Sequence, residues 1–188
     1  GGAQLYAAQP ETTAAQKATD YIRTLQNTDG GFPDFGATSS AGSTIDVAFA
    51  FAATGVNATT VTKGGKSPAD FLAIQAVTYS ATAGGAAKLV AGIATMKLDA
   101  HAFGTIDPLA TMEAFYNSTT GKYGDDLFAQ SLYMLAERSL ARPVPTAAVT
   151  YIESLQGSDG GWDPSSAFGE DTNATALWVR QKLRLKEW

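Results

Sequence analysis

Apolar residues recur at three- and four-residue steps along most of this chain, and the stretches they form are of two kinds. Between Ala14 and Gln26 the apolar positions are Ala14, Ala18, Tyr21, Ile22 and Leu25, with Lys17, Asp20 and Arg23 between them. That spacing predicts an amphipathic helix with one wetted face. The next stretch, IDVAFAFAAT from Ile45 to Thr54, is apolar nearly all round, and such a helix has to be enclosed by other elements. The alternation continues down the chain. SPADFLAIQAV from Ser67 is mixed, and KLVAGIATMKL from Lys88 is mostly apolar. DPLATMEAFYN from Asp107 is mixed, and DLFAQSLYMLAERSL from Asp126 is mostly apolar. PTAAVTYIESLQ from Pro145 is mixed, and TNATALWVRQKL from Thr172 is apolar up to its charged tail. Eight helices are predicted, half-wet and enclosed in turn, with Phe49, Phe51, Leu132 and Trp178 in the core.

Punctuation supports this parsing. Ser67, Pro68 and Asp70 supply a capping hydroxyl, a proline at the first helical position and a carboxylate at the positive end of the helix. Asp107-Pro108 repeats the device, and Ser43 with Asp46 reads as a capping box. Gly55, Gly121, Gly157 and the pairs Gly30-Gly31 and Gly160-Gly161 are stop signals.

Two of those stops belong to near-copies, YIRTLQNTDGGF from Tyr21 and YIESLQGSDGGW from Tyr151. In each, a glutamine lies in the last helical turn, Asp-Gly-Gly permits a tight reversal, and an aromatic follows that would tuck against the helix just ended. TTGKYG sets Tyr123 in the same place, and Ala83-Gly84-Gly85 keeps the glycines without the aromatic. Copies about 40 to 50 residues apart fit two-helix repeats. Enclosed and half-wet helices in alternation predict an all-α fold: an α/α toroid, partial or small, of about eight helices in four hairpins, with inner and outer layers.

The motif YIxxLQxxDGGF/W followed by STIDVAFAF or DTNATALWV resembles the prenyltransferase/squalene-cyclase repeat. The longer run from GGKSPADFL to DTNATAL is similar to bacterial cell-surface proteins carrying such repeats, and through them to the α/α domain of the cobalamin carriers intrinsic factor and transcobalamin. The resemblance implies the toroid and covers most of residues 1–188, read as one domain and as part of a longer protein. Four hairpins are fewer than a closed family ring holds. The family's chemical marks are missing: there is no D-x-D-D acid motif, no cysteine for a zinc or thioester site, and a single histidine, His101. The nearest approach, Gly124-Asp125-Asp126, reads as a helix cap. An enzyme is therefore not favoured, and no cofactor or metal is expected.

Composition narrows the partners. A net charge of −5 with 16% charged residues and no basic stripe argues against nucleic acid. No apolar run approaches the roughly 20 residues that span a bilayer. The absence of cysteine removes thiolate chemistry without fixing a compartment. The opening GGAQLYAAQPETTAAQ has no basic or apolar leader region, so a signal peptide is absent or already removed, and the small, polar, slightly acidic composition, with the resemblance to cell-surface proteins, leads us to expect an extracellular or cell-surface protein in its mature form.

Candidate site residues cluster where enclosed helices begin: Thr44 and Asp46, Lys88, Asp126 and Gln130, and Asp171, Thr172 and Asn173, with Asp125 beside them. One reading makes them the polar rim of a pocket; the other makes them caps and dipole partners. Lys88 and Gln130 are the least explained by capping. By resemblance the ligand is small and apolar, corrinoid- or isoprenoid-like. A surface protein or a glycan is the alternative partner, a degenerate cyclase-like or carbohydrate-active enzyme a second function, and a structural spacer a third. His101 reads as a polar loop residue. Asn57, Asn117 and Asn173 match the N-glycosylation pattern, and WVRQKLRLKEW ends the chain as a basic amphipathic stretch.

Overall fold

A computed structural model of the chain describes residues 9–162. Seven α-helices are present among the described residues: α1 (Gln9–Thr24), α2 (Ala41–Ala53), α3 (Pro68–Tyr79), α4 (Ala83–Thr95), α5 (Pro108–Glu113), α6 (Leu127–Ser139) and α7 (Thr146–Ser154). The helix expected from Thr172 lies outside them. A two-stranded antiparallel ribbon, β1 (Phe32–Pro33) with β2 (Ser39–Ser40), and a 3-10 turn at Ala58–Thr60 complete the described elements. Contacts divide the chain into two compact units, Gly1–Leu72 and Ala73–Trp188, with the division falling inside α3.

Apart from α3, the described helices end in one of two ways. Each of α2, α4 and α6 ends in a Schellman motif. Val56 N–H donates to the Phe51 carbonyl, Leu98 N–H to Ile93 and Arg142 N–H to Glu137, each across six residues, with the inner bond made by Gly55, Lys97 and Ala141. Those three residues take positive φ, of 74°, 58° and 55°. By contrast α1, α5 and α7 end in 3-10 turns, closed by Leu25 and Gln26, Phe115 and Tyr116, and Leu155 and Gln156. Starts share one device. Ser40, Ser67, Thr82, Asp107 and Asp126 cap α2, α3, α4, α5 and α6 with a side-chain oxygen on the third backbone N–H, and α3 and α5 add a proline at the first helical position.

In the second unit α4 packs chiefly on α6, with α5 against α4 and α7 against α6. Leu89, Val90, Ala91 and Ile93 of α4 and Met134 and Ala136 of α6 are fully buried, as the apolar runs require. The two helices start side by side. A Cβ added to Gly84 would meet Ala129 and Leu132 at 3.9 Å, and the Tyr123 hydroxyl donates to the Ala83 carbonyl at 2.8 Å.

Four expectations need correction. First, α4 begins at Ala83 rather than Lys88, so Gly84-Gly85 is a first helical turn and not a copy of the hinge. Thr82 caps it by accepting from Gly85 N–H at 3.2 Å, and a side chain at Gly85 would overlap the Tyr79 carbonyl. Second, α2 is capped by Ser40, so Ser43 and Asp46 form no capping box and Asp46 lies in the second turn. Third, Ile45–Thr54 is not enclosed: Ile45, Ala48 and Phe51 are buried, while Asp46, Ala52 and Ala53 are exposed and Phe49 is half-buried. Fourth, the apolar line of α1 does not face inward. Its buried positions are polar, Thr19, with Gln26 just beyond the helix. Thr19 Oγ1 bonds Thr54 Oγ1 at 3.0 Å, and Gln16 Nε2 donates to the Thr54 carbonyl at 3.1 Å.

Candidate functional site

The paired Asp-Gly-Gly stretches fold alike. Asn27 N–H donates to the Gly31 carbonyl at 2.9 Å and Gly157 N–H to Gly161 at 2.8 Å. Gly30 and Gly160 sit at φ 90° and 91°, which only glycine adopts cheaply. Asp29 and Asp159 each accept from the second glycine's N–H at 3.0 Å. Gln26 and Gln156 each donate to the carbonyl of the first glycine, at 3.0 and 2.8 Å. The glutamine of LQ therefore ties the helix end to the turn. The third hinge achieves the same closure with one more residue, Asn117 N–H donating to Lys122 at 2.9 Å.

All three hinge aromatics, Phe32, Tyr123 and Trp162, are buried. Trp162 returns to its own helix, Nε1 donating to the Ile152 carbonyl at 2.8 Å. Phe32 instead meets Phe51 of α2 edge-on, with ring centroids 5.9 Å apart. Tyr123 stacks on Tyr133 of α6 at 4.6 Å, Tyr133 stacks on Tyr116 at 4.8 Å, and Phe115 meets Tyr123 edge-on. Burial raises the Tyr123 and Tyr133 phenols well above the ordinary tyrosine value, so both rings stay neutral.

Against that geometry the rim residues take up definite duties. Thr44, fully buried in α2, accepts from Phe32 N–H at 2.9 Å and donates to the Ser40 carbonyl at 2.7 Å. Gln130, also 0% exposed, accepts from Tyr123 N–H at 2.6 Å and donates to the carbonyls of Gly121 and Ala148 at 3.0 and 3.4 Å. Thr44 and Gln130 both sit four residues after a cap, so each fastens the N–H of a hinge aromatic to the following helix. Asp126 caps α6, accepting from Ala129 N–H at 2.7 Å, and the exposed Asp125 pairs with Lys122 at 3.3 Å. Lys88 is half-buried in the second turn of α4. Asp171, Thr172 and Asn173 lie outside the described residues. The start of α4 is thus brought beside Asp126 and Gln130 of α6, and Thr44 and Asp46 belong to the other unit.

The remaining charged groups act locally. His101 Nδ1 lies 3.1 Å from Asp107 Oδ2, and this hydrogen bond raises the imidazole above its ordinary value. Asp107 also caps α5, and the Ala110 N–H that it accepts lowers its own carboxyl. Ser67 and Asp70 make a reciprocal capping box: Ser67 N–H donates to Asp70 Oδ2 at 2.8 Å and Asp70 N–H to Ser67 Oγ at 3.2 Å. The Ser67 N–H, and then the Ser67 hydroxyl that donates to the same oxygen at 2.7 Å, hold the Asp70 carboxyl below the usual range. Among the described residues no group of three or more metal-ligating side chains is assembled, and no helix is long and apolar enough to cross a membrane. In the first unit a groove of about 340 Å³ is lined by Arg23, Gln26, Thr60, Val61, Thr62 and Lys63. It is open, and Gln26, its one buried polar residue, is bonded to the Gly30 and Val61 carbonyls.

One cluster went unnoticed in the sequence: Glu137 on α6, Arg142 just beyond it, Glu113 on α5 and the stacked Tyr116 and Tyr133. A signal existed. Gln130, Tyr133 and Glu137 fall at helical spacing along the buried side of α6, which placed a carboxylate on an inward line. Comparison with protein-family models, with curated proteins and with solved structures finds no match for the chain.

Proposed function

We propose that the chain is a non-catalytic helical-repeat domain of an exported, cell-surface protein, an α/α toroid or an arc of one, that packs through its half-wet helices on a helix of another repeat of the same kind. One observation carries the reading. On α1 and its 3-10 end the residues Ala14, Ala18, Tyr21 and Leu25 follow a four-three-four spacing and face solvent, Tyr21 being 65% and Leu25 42% exposed. That spacing makes a seam for a second helix. Leu155, the counterpart of Leu25 in the second Asp-Gly-Gly copy, is exposed too, as are Ile74 and Val77 on α3. The pocket-rim alternative is weakened because Thr44, Asp126 and Gln130 are engaged in the hinges. The family resemblance and the two kinds of helix end support the repeat, and the weakly charged, cysteine-free composition is compatible with export.

Sedimentation equilibrium tests the reading. The wild-type chain is expected to self-associate at high concentration, and Tyr21→Ser with Leu25→Ser to weaken that association at least about tenfold, with stability changed by less than about 0.5 kcal/mol. A chain that stays monomeric, and whose melting temperature rises with a corrinoid or an isoprenoid diphosphate, is a small-ligand carrier instead.

A further inference from the structure

Glu137 is the one charged side chain buried among the described residues, at 1% exposure. Its Oε2 accepts from Arg142 Nε at 3.0 Å, while its Oε1 is buried with no hydrogen-bond partner. Native interiors rarely leave a carboxylate oxygen unmatched, because the desolvation cost is then uncompensated. The surroundings do not resolve it. Arg142 is shared: its Nη1 lies 2.8 Å from Glu113 Oε1 on α5, so two carboxylates divide one guanidinium. Tyr133 from α6 and Tyr116 from the segment after α5 also face Glu137, and burial, followed by the Glu137 charge, raises both phenols. The backbone locks the geometry, since Arg142 N–H donates to the Glu137 carbonyl at 2.8 Å through the positive-φ residue Ala141.

We propose that Glu137 is a proton-binding site and that its protonation frees the Arg142 guanidinium from the Glu137 carboxylate, leaving it on Glu113 alone. The device is a pH-dependent latch between the end of α6 and α5. The proton converts Oε1 or Oε2 into a hydroxyl, removes the surplus negative charge of the cluster and breaks no covalent bond. Burial, opposed by Arg142 and reinforced by Glu113, already holds this carboxyl above the ordinary glutamate value. The folded chain therefore binds the proton more tightly than the unfolded one. The stability that Glu137 contributes is whole below the ordinary value of about 4.3 and is lost as pH climbs through the raised folded value.

The test follows the Glu137 side-chain carboxyl by carbon-13 NMR in the whole chain from about pH 4 to about pH 8, alongside the near-ultraviolet tyrosine signal. A carboxyl midpoint above about 4.3, matched by a tyrosine transition that Glu137→Gln abolishes, is the expected result. The melting temperature of Glu137→Gln should also gain on the wild type as pH rises, by about 3 °C for each unit by which the pKa is raised. Arg142→Gln should move the wild-type midpoint further up, which keeps the test intact if Glu137→Gln does not fold. A carboxyl that titrates at or below the ordinary value overturns the proposal, as does a tyrosine transition that survives in Glu137→Gln.

Discussion

Gln130 shows how one side chain decides between a binding rim and a hinge. Its amide makes three hydrogen bonds, each to a backbone group, and none of its surface reaches solvent. Gln130→Leu keeps much of the volume but strands the Tyr123 N–H and the Gly121 carbonyl in the interior. An unmatched buried backbone group costs about 1–3 kcal/mol, so the variant should lose about 2–4 kcal/mol in urea unfolding. Were Gln130 a ligand contact, stability would stay within about 0.5 kcal/mol of the wild type. Thr44 does the same duty with a hydroxyl, and this is why the equivalence escaped the sequence. Threonine and glutamine share no pattern, and only the N–H they both accept reveals it. The Asp-Gly-Gly turns were legible because each residue there meets a local demand of the backbone.

At the scale of the element, the helix ends explain which boundaries the sequence showed. Ser67-Pro68 and Asp107-Pro108 were readable, since a capping oxygen followed by proline has one local meaning. The start of α4 was not. Two glycines look like a turn, and only the packing of Gly84 against α6 and of Gly85 under the Tyr79 carbonyl explains why they sit in a helix. The Schellman ends were half legible. Gly55 announces one, but Lys97 and Ala141 adopt the same left-handed conformation without glycine's freedom. Such a residue costs on the order of 1 kcal/mol against glycine, part of which glycine returns as unfolded-chain entropy. Ala141→Gly and Lys97→Gly should each therefore stabilise the chain by about 0.5–1 kcal/mol in thermal unfolding. A loss at either position would show that the side chain contributes more at these ends than the backbone strain removes.

Across the whole molecule, burial is shared out unevenly, and the apolar runs foretold only part of that. In α4 the run is enclosed and in α6 only Phe128 of the apolar run is exposed, but the equally greasy run of α2 keeps one exposed side, and α1 with its 3-10 end buries Thr19 and Gln26 while Tyr21 and Leu25 face outward. Periodicity reports that a helix has an apolar stripe, and not what covers it. The distribution has a consequence for opening. Amides held in α4 and α6 lie under fully buried Leu89, Val90, Ile93 and Met134, so their exchange needs the core of the second unit to come apart. The six-residue α5 has little of its own to hold it, and residues 34–38 are exposed throughout. Native-state hydrogen exchange should therefore place α4 and α6 near the largest opening free energies in the chain and residues 34–38 near zero, with α5 well below α6. Uniform protection across α4, α5 and α6 would mean that the second unit opens only as a whole, and the Arg142 bridge from α5 to α6 would then be the first contact to remove.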